Sequence, residues 1–342
     1  MGMTNLSPSE RLSALRAAMS EQDLDGFIVP HADAHQNEFL PPDAERLFWL
    51  TGFNGSAGTA VVLAGQAAIF VDGRYTLQVR DQVDEGLYSY HHLVEEPVAS
   101  WLDNTLSEGM KLGFDPWLHT QTQRERLARA VSDAGAELVP VEQNLVDAIW
   151  NDRPSPPLEP VVPHDIEFAG RSSAAKRADL AASLRHNGLD AVVLTQPDSI
   201  AWLLNVRGND VDHTPLPLSF AVVHAAGEID WFVAPDKLSD PVLTHLGDGV
   251  RVHAPEDLSA CLGALTGKRV WACPDTGASW VFDRLAAAEV KIARGDDPVT
   301  MSKAVKNEAE LSGSRAAHKR DGAALVRFLH WLSDAAPGDG ID

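Results

Sequence analysis

The chain has few of the features that would assign it to a membrane or a secretion pathway. Among its 342 residues are only two cysteines, Cys261 and Cys273, so no disulfide framework is expected and a reducing compartment is the natural one. No apolar run approaches the ~20 residues that a membrane span requires. The N-terminal segment lacks the basic and apolar regions of a signal peptide. We therefore expect a cytoplasmic protein with no membrane partner.

An excess of positive charge is also missing. The chain has 28 Lys and Arg residues against 49 Asp and Glu residues, which gives a formal net charge of −21. Because nucleic-acid binding relies on basic patches, no nucleic-acid partner is expected. The hydrophobic fraction of 44% and the charged fraction of 23% are typical of a globular protein, and the length predicts two or three domains.

What the sequence does contain is a duplication. The first copy opens with a helix that Ser7 and Glu10 mark as a capping box, and a buried strand follows at 24–29. The second copy repeats this order, with a helix that begins near Ser172 and a strand at 189–194. This repetition predicts two related domains rather than a short-period solenoid.

Both copies continue with the same further elements. An apolar helical segment (47–50 and 200–203) is followed by a glycine-containing turn, two strands and a late strand. The later strands are predicted at 60–63, 68–71, 111–116, 220–223, 230–233 and 268–275. Alternation of this kind predicts an α/β fold in which two similar domains each have a mixed sheet flanked by helices.

Proline-containing segments mark two boundaries. The proline-dense stretch 153–163 is predicted to be an extended, semi-rigid linker. A second boundary is predicted at 295–298, before a final helix at 306–332. The resulting domain ranges are 1–163, 164–300 and 301–342.

The final helix has an apolar stripe. Leu325, Phe328, Leu329 and Leu332 recur at the spacing of one helix face. A stripe of this kind needs a partner surface, and the sequence ends soon after it. We therefore expect the chain to be the front part of a longer protein, cut just inside its last domain.

Several polar segments could carry chemistry, but none forms a complete site. Segments 33–38 and 210–213 each hold three potential metal ligands without a second ligand set, so ordinary loop polarity is the favoured interpretation. Gly52, Gly55 and Gly58 lack the spacing of a dinucleotide fingerprint or a nucleophile elbow. A glycine-rich turn that leads into a hairpin is favoured instead.

The segment 72–75 (Asp-Gly-Arg-Tyr) ends a strongly apolar strand at 67–71. Arg74, at a strand end beside a glycine turn, is well placed to bind a carboxylate or a peptide carbonyl. A structural salt bridge is the alternative, and composition favours it. Considered without family knowledge, the sequence predicts two related α/β domains and a final helix, with no complete catalytic constellation.

Six stretches spread over the whole chain form a distinctive set. They are 33–39 (Asp-Ala-His-Gln-Asn-Glu-Phe), 51–60 (Thr-Gly-Phe-Asn-Gly-Ser-Ala-Gly-Thr-Ala), 71–75 (Val-Asp-Gly-Arg-Tyr), 144–154, 203–211 and 306–324. Together they resemble the three-domain cytosolic Xaa-Pro aminopeptidases (aminopeptidase P) of the creatinase and methionine-aminopeptidase superfamily. The resemblance covers the chain in register.

The resemblance implies two creatinase N-terminal-like domains followed by a "pita-bread" catalytic domain, of which the final helix is the first element. Members of the family remove the N-terminal residue that precedes proline from peptides. They use two divalent metal ions, usually manganese, to activate water. Their metal ligands lie downstream of that helix, so the resemblance implies no catalytic residue and no metal ligand in this chain, which we expect to be inactive alone.

In relatives, the first domain of one subunit approaches the active site of its dimer partner. By that resemblance, Arg74, with Glu38 and His35, is the candidate for shaping the substrate entrance in trans. The implied partners are peptides with proline at the second position and, for the full-length protein, a second copy of the same chain.

Two other functions stay open from the sequence. The chain could form a stand-alone, non-catalytic binding or regulatory module of creatinase-like domains. An open reading frame that continues past Asp342 with five metal ligands supports the enzyme, whereas a stop codon supports the module. A creatine-type amidinohydrolase is disfavoured, because those relatives have one N-terminal domain rather than two.

Overall fold

A computed structural model describes residues 6–336, and its first half contains a six-stranded mixed sheet. The strands are β1 (Gly26–Pro30), β2 (Gly58–Leu63), β3 (Ala67–Val71), β4 (Ser89–His92), β5 (Lys111–Phe114) and β6 (Glu137–Pro140). Their spatial order is β4-β3-β2-β1-β5-β6. The pairs β1–β2 and β2–β3 are antiparallel, and the pairs β3–β4, β1–β5 and β5–β6 are parallel.

The second half repeats this topology. Its strands are β7 (Val162–Pro163), β8 (Ala191–Leu194), β9 (Val206–Arg207), β10 (Phe220–His224), β11 (Ile229–Phe232), β12 (Val250–His253), β13 (Arg269–Ala272) and β14 (Lys291–Arg294). The second sheet has the order β12-β11-β10-β8-β13-β14, with the same strand directions as the first. β7 and β9 form a separate antiparallel pair. The predicted α/β fold with a duplicated mixed sheet is confirmed.

Helices flank both sheets and connect their strands. They are α1 (Pro8–Glu21), α2 (Arg46–Thr51), α3 (Gln78–Gln82), α4 (Val98–Thr105), α5 (Gln121–Asp133), α6 (Leu145–Ile149), α7 (Ile166–Ala169), α8 (Ser173–His186), α9 (Pro197–Leu204), α10 (Asp240–Leu246), α11 (Leu258–Gly263), α12 (Ser279–Ala287), α13 (Thr300–Ala304) and α14 (Glu308–Ala335). Short 3₁₀ turns lie at Pro42–Ala44, Pro235–Lys237 and Pro255–Asp257.

Local sequence signals explain where the first helix and the first hairpin begin. At α1, the Ser7 hydroxyl accepts from the Glu10 amide and the Glu10 carboxylate accepts from the Ser7 amide, as the capping-box prediction requires. The predicted glycine turn also forms and leads into the β2–β3 hairpin. A Cβ at Gly55 would lie 2.3 Å from the Phe53 ring, so the buried ring excludes a side chain there.

Each sheet has an apolar core on both faces. In β1, Phe27 packs into the cluster that contains α1 and α2, whereas the next residue, Ile28, packs into the cluster on the opposite face. Successive residues of a strand point to opposite faces, so a fully buried strand needs apolar residues at every position. This explains why the sequence shows continuous apolar runs at the central strands rather than alternation.

The two domains are in direct contact at the ends of their late strands. The rings of Trp117 and Trp280 stack with centroids 4.0 Å apart. Backbone hydrogen bonds cross the same contact, including the Trp280 amide to the Pro116 carbonyl (3.0 Å) and the Ser279 amide to the His119 carbonyl (2.8 Å). This contact fixes how loops of the two domains face each other, and those loops form the cleft described below.

The final helix differs from its prediction in length and in what precedes it. A short helix, α13, lies between the predicted boundary at 295–298 and α14, and α14 continues to Ala335. Three residues of the predicted stripe are solvent-exposed, with relative exposures of 57% for Leu325 and 51% for both Phe328 and Leu329, and Leu332 is half-buried. The predicted ranges 1–163 and 301–342 extend outside the described residues, and the domain boundaries stay predictions.

Candidate functional site

A cleft of about 740 Å³ brings together segments that are far apart in the sequence. We call it the Arg74 cleft. Its lining residues come from the β1–α2 loop (31–45), the glycine turn (54–56), the segment after β3 (74–78) and the loop after β9 (210–213). Both polar segments that stand out in the sequence, 33–38 and 210–213, therefore contribute residues to one cleft between the two domains.

Arg74 lies next to Glu38 in this cleft. Its Nη1 atom is 3.8 Å from Glu38 Oε1. The guanidinium also binds Asp72, with Nε 3.1 Å and Nη2 2.8 Å from Oδ2. Hydrogen bonds from Arg74 hold the pKa of Asp72 below its usual value. The structural salt bridge considered from the sequence is thus present, with Asp72 as partner.

That salt bridge leaves Arg74 and Glu38 accessible. Their side chains are 58% and 56% exposed, so an incoming group can reach both charges. An exposed pair of this kind contributes little to stability, typically below about 1 kcal/mol. The two side chains present a planar cation and a carboxylate side by side, which suits the carbonyl and amide groups of a peptide.

Ser56 and Tyr75 connect to this pair. The Ser56 hydroxyl donates to Glu38 Oε1 (3.1 Å) and lies 2.9 Å from the Tyr75 hydroxyl. The Ser56 hydrogen bond lowers the pKa of Tyr75. The Arg74 guanidinium lies over the Tyr75 ring, 5.0 Å from its centroid, in a cation–π contact. The four side chains form one connected polar group with both donors and acceptors.

His35 is positioned elsewhere. Its side chain is buried against the second domain, where the ring stacks on Phe220 with centroids 4.3 Å apart. Its Nδ1 atom is 3.2 Å from the Thr195 carbonyl oxygen, and Gln196 donates to the His35 carbonyl. Burial lowers the pKa of His35. The structure therefore brings Glu38 and Arg74 together and places His35 in the contact between the domains.

Asp33 and Asp210, one from each polar segment, already bind other groups of the protein. Asp33 accepts hydrogen bonds from the His35 amide and from both the amide and the side chain of Asn37. Asp210 binds Lys237 at 2.6 Å. In residues 6–336, no group of three or more His, Cys, Asp or Glu side chains could hold a metal ion.

Two features of the cleft have no signal in the sequence. The roles of Ser56 and Tyr75 depend on the fold of the glycine turn against the segment after β3. The 210–213 loop reaches the cleft only because the two domains are in contact. A local sequence pattern cannot predict a contact between residues that lie more than 100 positions apart in the chain. Among residues 6–336, no helix combines the length and the apolar character of a membrane span.

Comparison with protein families shows two matches of the same kind. Residues 11–149 and residues 152–310 each match a model described as a creatinase/prolidase N-terminal domain. The two matches coincide with the two copies of the sheet.

Comparison with individual proteins gives the same result over nearly the whole chain. The chain is 36% identical over 343 residues to a protein of Aspergillus niger named "Probable Xaa-Pro aminopeptidase P", with 97% of this chain and 56% of that protein covered. A protein of the same name from Coccidioides posadasii is 38% identical over 341 residues, with 95% and 55% covered. The chain thus spans little more than half the length of these relatives.

A solved structure has the same arrangement. The chain superposes on the X-prolyl aminopeptidase of Caenorhabditis elegans, described as a cytosolic enzyme with a di-nuclear active site, with a TM-score of 0.89 and 30% sequence identity. The match covers 96% of this chain and 56% of that one. The chain therefore belongs to the creatinase/prolidase N-terminal domain family, carries two such domains in succession, and is homologous to Xaa-Pro aminopeptidases.

Proposed function

We propose that this chain forms the two N-terminal domains of a cytoplasmic Xaa-Pro aminopeptidase, a metallopeptidase that removes the N-terminal residue preceding proline from a peptide. The observation that carries the proposal is the similarity to Xaa-Pro aminopeptidases across both domains and α14 at once. The alternative is a stand-alone, non-catalytic binding or regulatory module of creatinase-like domains, which a reading frame that continues past Asp342 with five metal ligands would contradict. In this proposal the domains are 1–163, 164–300 and the beginning of a third at 301–342.

The proposal assigns the metal chemistry to residues outside the described part of this chain. In the family that the sequence resembles, two divalent ions, usually manganese, activate water. The described residues contain no side-chain group that suits such ions. The chain alone is therefore expected to bind no catalytic metal and to cleave no peptide, and its residues act on the substrate from outside the metal site.

The Arg74 cleft is the part of this chain that we assign to the substrate. Arg74 supplies a planar cation, Glu38 a carboxylate, and Ser56 and Tyr75 supply hydroxyl groups. Such a mixture can bind the backbone of an extended peptide without selecting its side chains. In a homodimer, this cleft would face the active site of the partner subunit and guide peptides towards it.

The variant Arg74→Ala tests this role in the complete enzyme. A lost charge-assisted hydrogen bond corresponds to about 1.5 kcal/mol or more, so kcat/KM for peptides that extend beyond the proline is expected to fall about tenfold. Dipeptide turnover should change less, because a dipeptide is too short to occupy both the active site and the cleft. The measurement is steady-state kinetics over a series of peptides of increasing length.

The matched control is Arg126→Ala on α5, which removes an exposed arginine outside the cleft. It should leave kcat/KM unchanged at every peptide length. Thermal unfolding of both variants checks that folding is intact. Equal kinetics for Arg74→Ala and Arg126→Ala across short and long peptides would show that the cleft does not contact substrate.

A further inference from the structure

A second pocket lies between the second domain and the beginning of α14. It has a volume of about 470 Å³, within the range of small-molecule sites, and it shares no lining residue with the Arg74 cleft. We call it the Arg207 pocket. Its lining combines basic, acidic and apolar side chains, of which the following are used below: His164, Phe168, Asp198, Trp202, Arg207, Leu216, Lys306 and Glu310.

Arg207, in β9, is half-buried and has one free edge of its guanidinium group. Its Nη1 atom donates to the Val206 carbonyl (2.8 Å) and, at 3.5 Å, to the Ala201 carbonyl. Its Nε and Nη2 atoms make no hydrogen bond to residues 6–336, and neither is buried, so both are open to solvent. Within that part of the chain no carboxylate forms a hydrogen bond with Arg207.

The edge formed by Nε and Nη2 is the one that other arginines of this chain use to bind carboxylates. Arg46 binds Asp147 through Nε (2.7 Å) and Nη2 (3.0 Å). Arg251 binds Asp230 through the same two atoms, also at 2.7 and 3.0 Å. The two donors on this edge are parallel and match the two oxygens of one carboxylate. Arg207 therefore offers the same pair of donors, unused by the described residues.

Positive charge near Arg207 lacks direct compensation. Burial lowers the pKa of Arg207 and lowers the pKa of Lys176 to about 8. Lys176 binds only neutral acceptors, the Trp202 carbonyl (2.9 Å) and Asn205 Oδ1 (2.7 Å). Burial, together with the charges of Arg207 and Lys176, lowers the pKa of His164, so these basic groups are close enough to interact. A bound anion would stabilise this group of charges.

The two carboxylates of the pocket are bound to other groups. Glu310 accepts from Trp202 Nε1 (3.1 Å) through Oε1 and from the Asn307 amide (2.9 Å) through Oε2. Asp198 pairs with Lys303. Because both carboxylates are held by these bonds, neither occupies the free guanidinium edge.

Apolar side chains line other parts of the pocket. Phe168 and Trp202 contribute aromatic surface and Leu216 contributes aliphatic surface. Burial of an organic group against such surface is favourable, because it removes apolar area from water. Lys306, an exposed residue of the same pocket, adds a positive charge. Inorganic phosphate could bind the guanidinium edge but would gain nothing from the apolar surface.

We propose that the Arg207 pocket binds a small organic monocarboxylate, with both carboxylate oxygens on Nε and Nη2 of Arg207 and the apolar body against Phe168 and Trp202. An organic amine is disfavoured, because Arg207 and Lys306 would repel it. The site consists of described residues of this chain and does not depend on the aminopeptidase proposal.

Titration of phenylacetate into the 342-residue chain by isothermal titration calorimetry tests this proposal. Its neutral analogue phenylacetamide and inorganic phosphate serve as ligand controls. Because hydrogen bonds to a charged group contribute about 1.5 kcal/mol or more, phenylacetate should bind at least about tenfold more tightly than the amide. It should also bind more tightly than phosphate, which lacks an apolar body.

Arg207→Gln should weaken phenylacetate binding at least about tenfold, since it removes the charged pair of donors. The matched control is Arg185→Gln. Arg185 also donates to a backbone carbonyl, that of Ala225, but it is exposed and lies outside the pocket, so its replacement should not change binding. Thermal unfolding of both variants without ligand shows whether loss of binding reflects loss of the fold.

Gly313→Trp, on α14, is a second variant that leaves Arg207 in place. Gly313 lines the pocket, and a Cβ atom there would meet nothing within 4 Å, so an indole ring can enter the pocket without a backbone clash. It should weaken phenylacetate binding at least about tenfold, and it decides the matter if Arg207→Gln does not fold. No phenylacetate binding at millimolar concentration, equal binding of phenylacetamide, tighter binding of phosphate, or unchanged binding in either folded variant would each overturn the proposal.

Discussion

At the scale of single residues, buried ion pairs hold the loops that form the candidate site. Lys237 and Asp210 have side chains that are 5% and 0% exposed, and Asp210 also accepts from the Leu218 amide (2.6 Å). Removal of one partner leaves a buried, uncompensated charge, which is costlier than replacement of both by apolar groups. The pair therefore anchors the 210–213 loop at the Arg74 cleft.

The variant Lys237→Met is accordingly expected to lower the free energy of unfolding by about 3–5 kcal/mol. The double variant Lys237→Met/Asp210→Leu should recover most of that loss, since it removes the unpaired charge. Urea unfolding monitored by tryptophan fluorescence measures the free energy of unfolding of both variants. A loss below about 1 kcal/mol for the single variant, or no recovery in the double variant, would contradict the assignment.

The ionisation of Asp230 is expected to make the stability of the fold depend on pH. Burial opposes its ionisation, but hydrogen bonds from Arg251, His224 and His253 outweigh burial and hold the pKa of Asp230 well below its usual value. A carboxyl group with a depressed folded-state pKa stabilises the fold above its unfolded pKa of about 4, and this contribution is lost as pH falls below that value.

We therefore expect Asp230→Asn to lower the free energy of unfolding at pH 7 by about 2 kcal/mol, the size of a charge-assisted hydrogen-bond network. It should also flatten the fall of stability between about pH 5 and pH 2. Urea unfolding across that pH range is the measurement. Asp248→Asn, at an exposed position, is the control. Parallel pH profiles for wild type and Asp230→Asn would refute the role given to this carboxylate.

At the scale of secondary-structure elements, the Trp117–Trp280 stack joins the loop after β5 of one domain to α12 of the other. Truncation of a large, half-buried aromatic side chain should cost about 2–3 kcal/mol, towards the low end for aromatic residues because Trp280 is not fully buried. Trp280→Ala is thus expected to lower the thermal unfolding midpoint clearly, whereas Trp331→Ala on α14, 55% exposed, should have little effect. Equal decreases of the unfolding midpoint for the two variants in differential scanning calorimetry would argue against a stabilising contact between Trp117 and Trp280.

The helix α14 is anchored only where it begins. Asn307 donates to the Ala169 carbonyl (2.9 Å), and Trp202 donates to Glu310 (3.1 Å). Beyond this first turn, no residue of α14 up to Ala335 is buried, and isolated helices are marginally stable in water. In the 342-residue chain, amides of 320–335 should exchange with deuterium far faster than those of α8. Equal protection of the two helices would contradict this description.

The comparison of prediction with structure also belongs to this scale. The sequence predicted β3 to within one residue and predicted the four central strands of both sheets, because continuous apolar runs are local signals. It missed the edge strands β4, β6, β12 and β14, whose residues are not continuously apolar, and it missed α13, which is too short to show periodicity. The proximity of Arg74 to Glu38 and the position of His35 against Phe220 depend on loop conformation and domain docking, which no local pattern encodes.

At the scale of the whole molecule, two copies of one domain contact each other in the loops after their late strands and present a polar cleft between them. The exposed apolar face of α14 and the similarity to proteins nearly twice as long fit a scaffold that acts with a further domain. Under the function proposed above, the chain would position peptides and residues elsewhere in the complete protein would perform the metal chemistry.

The most direct test of this account is an assay of peptide hydrolysis combined with metal analysis. Residues 1–342 and the complete gene product are purified, incubated with manganese and supplied with an Xaa-Pro-Xaa tripeptide. The account predicts that the complete protein releases the residue before proline and binds manganese, whereas the 342-residue chain does neither. Cleavage by the 342-residue chain, or manganese bound to it in stoichiometric amount, would contradict the central claim.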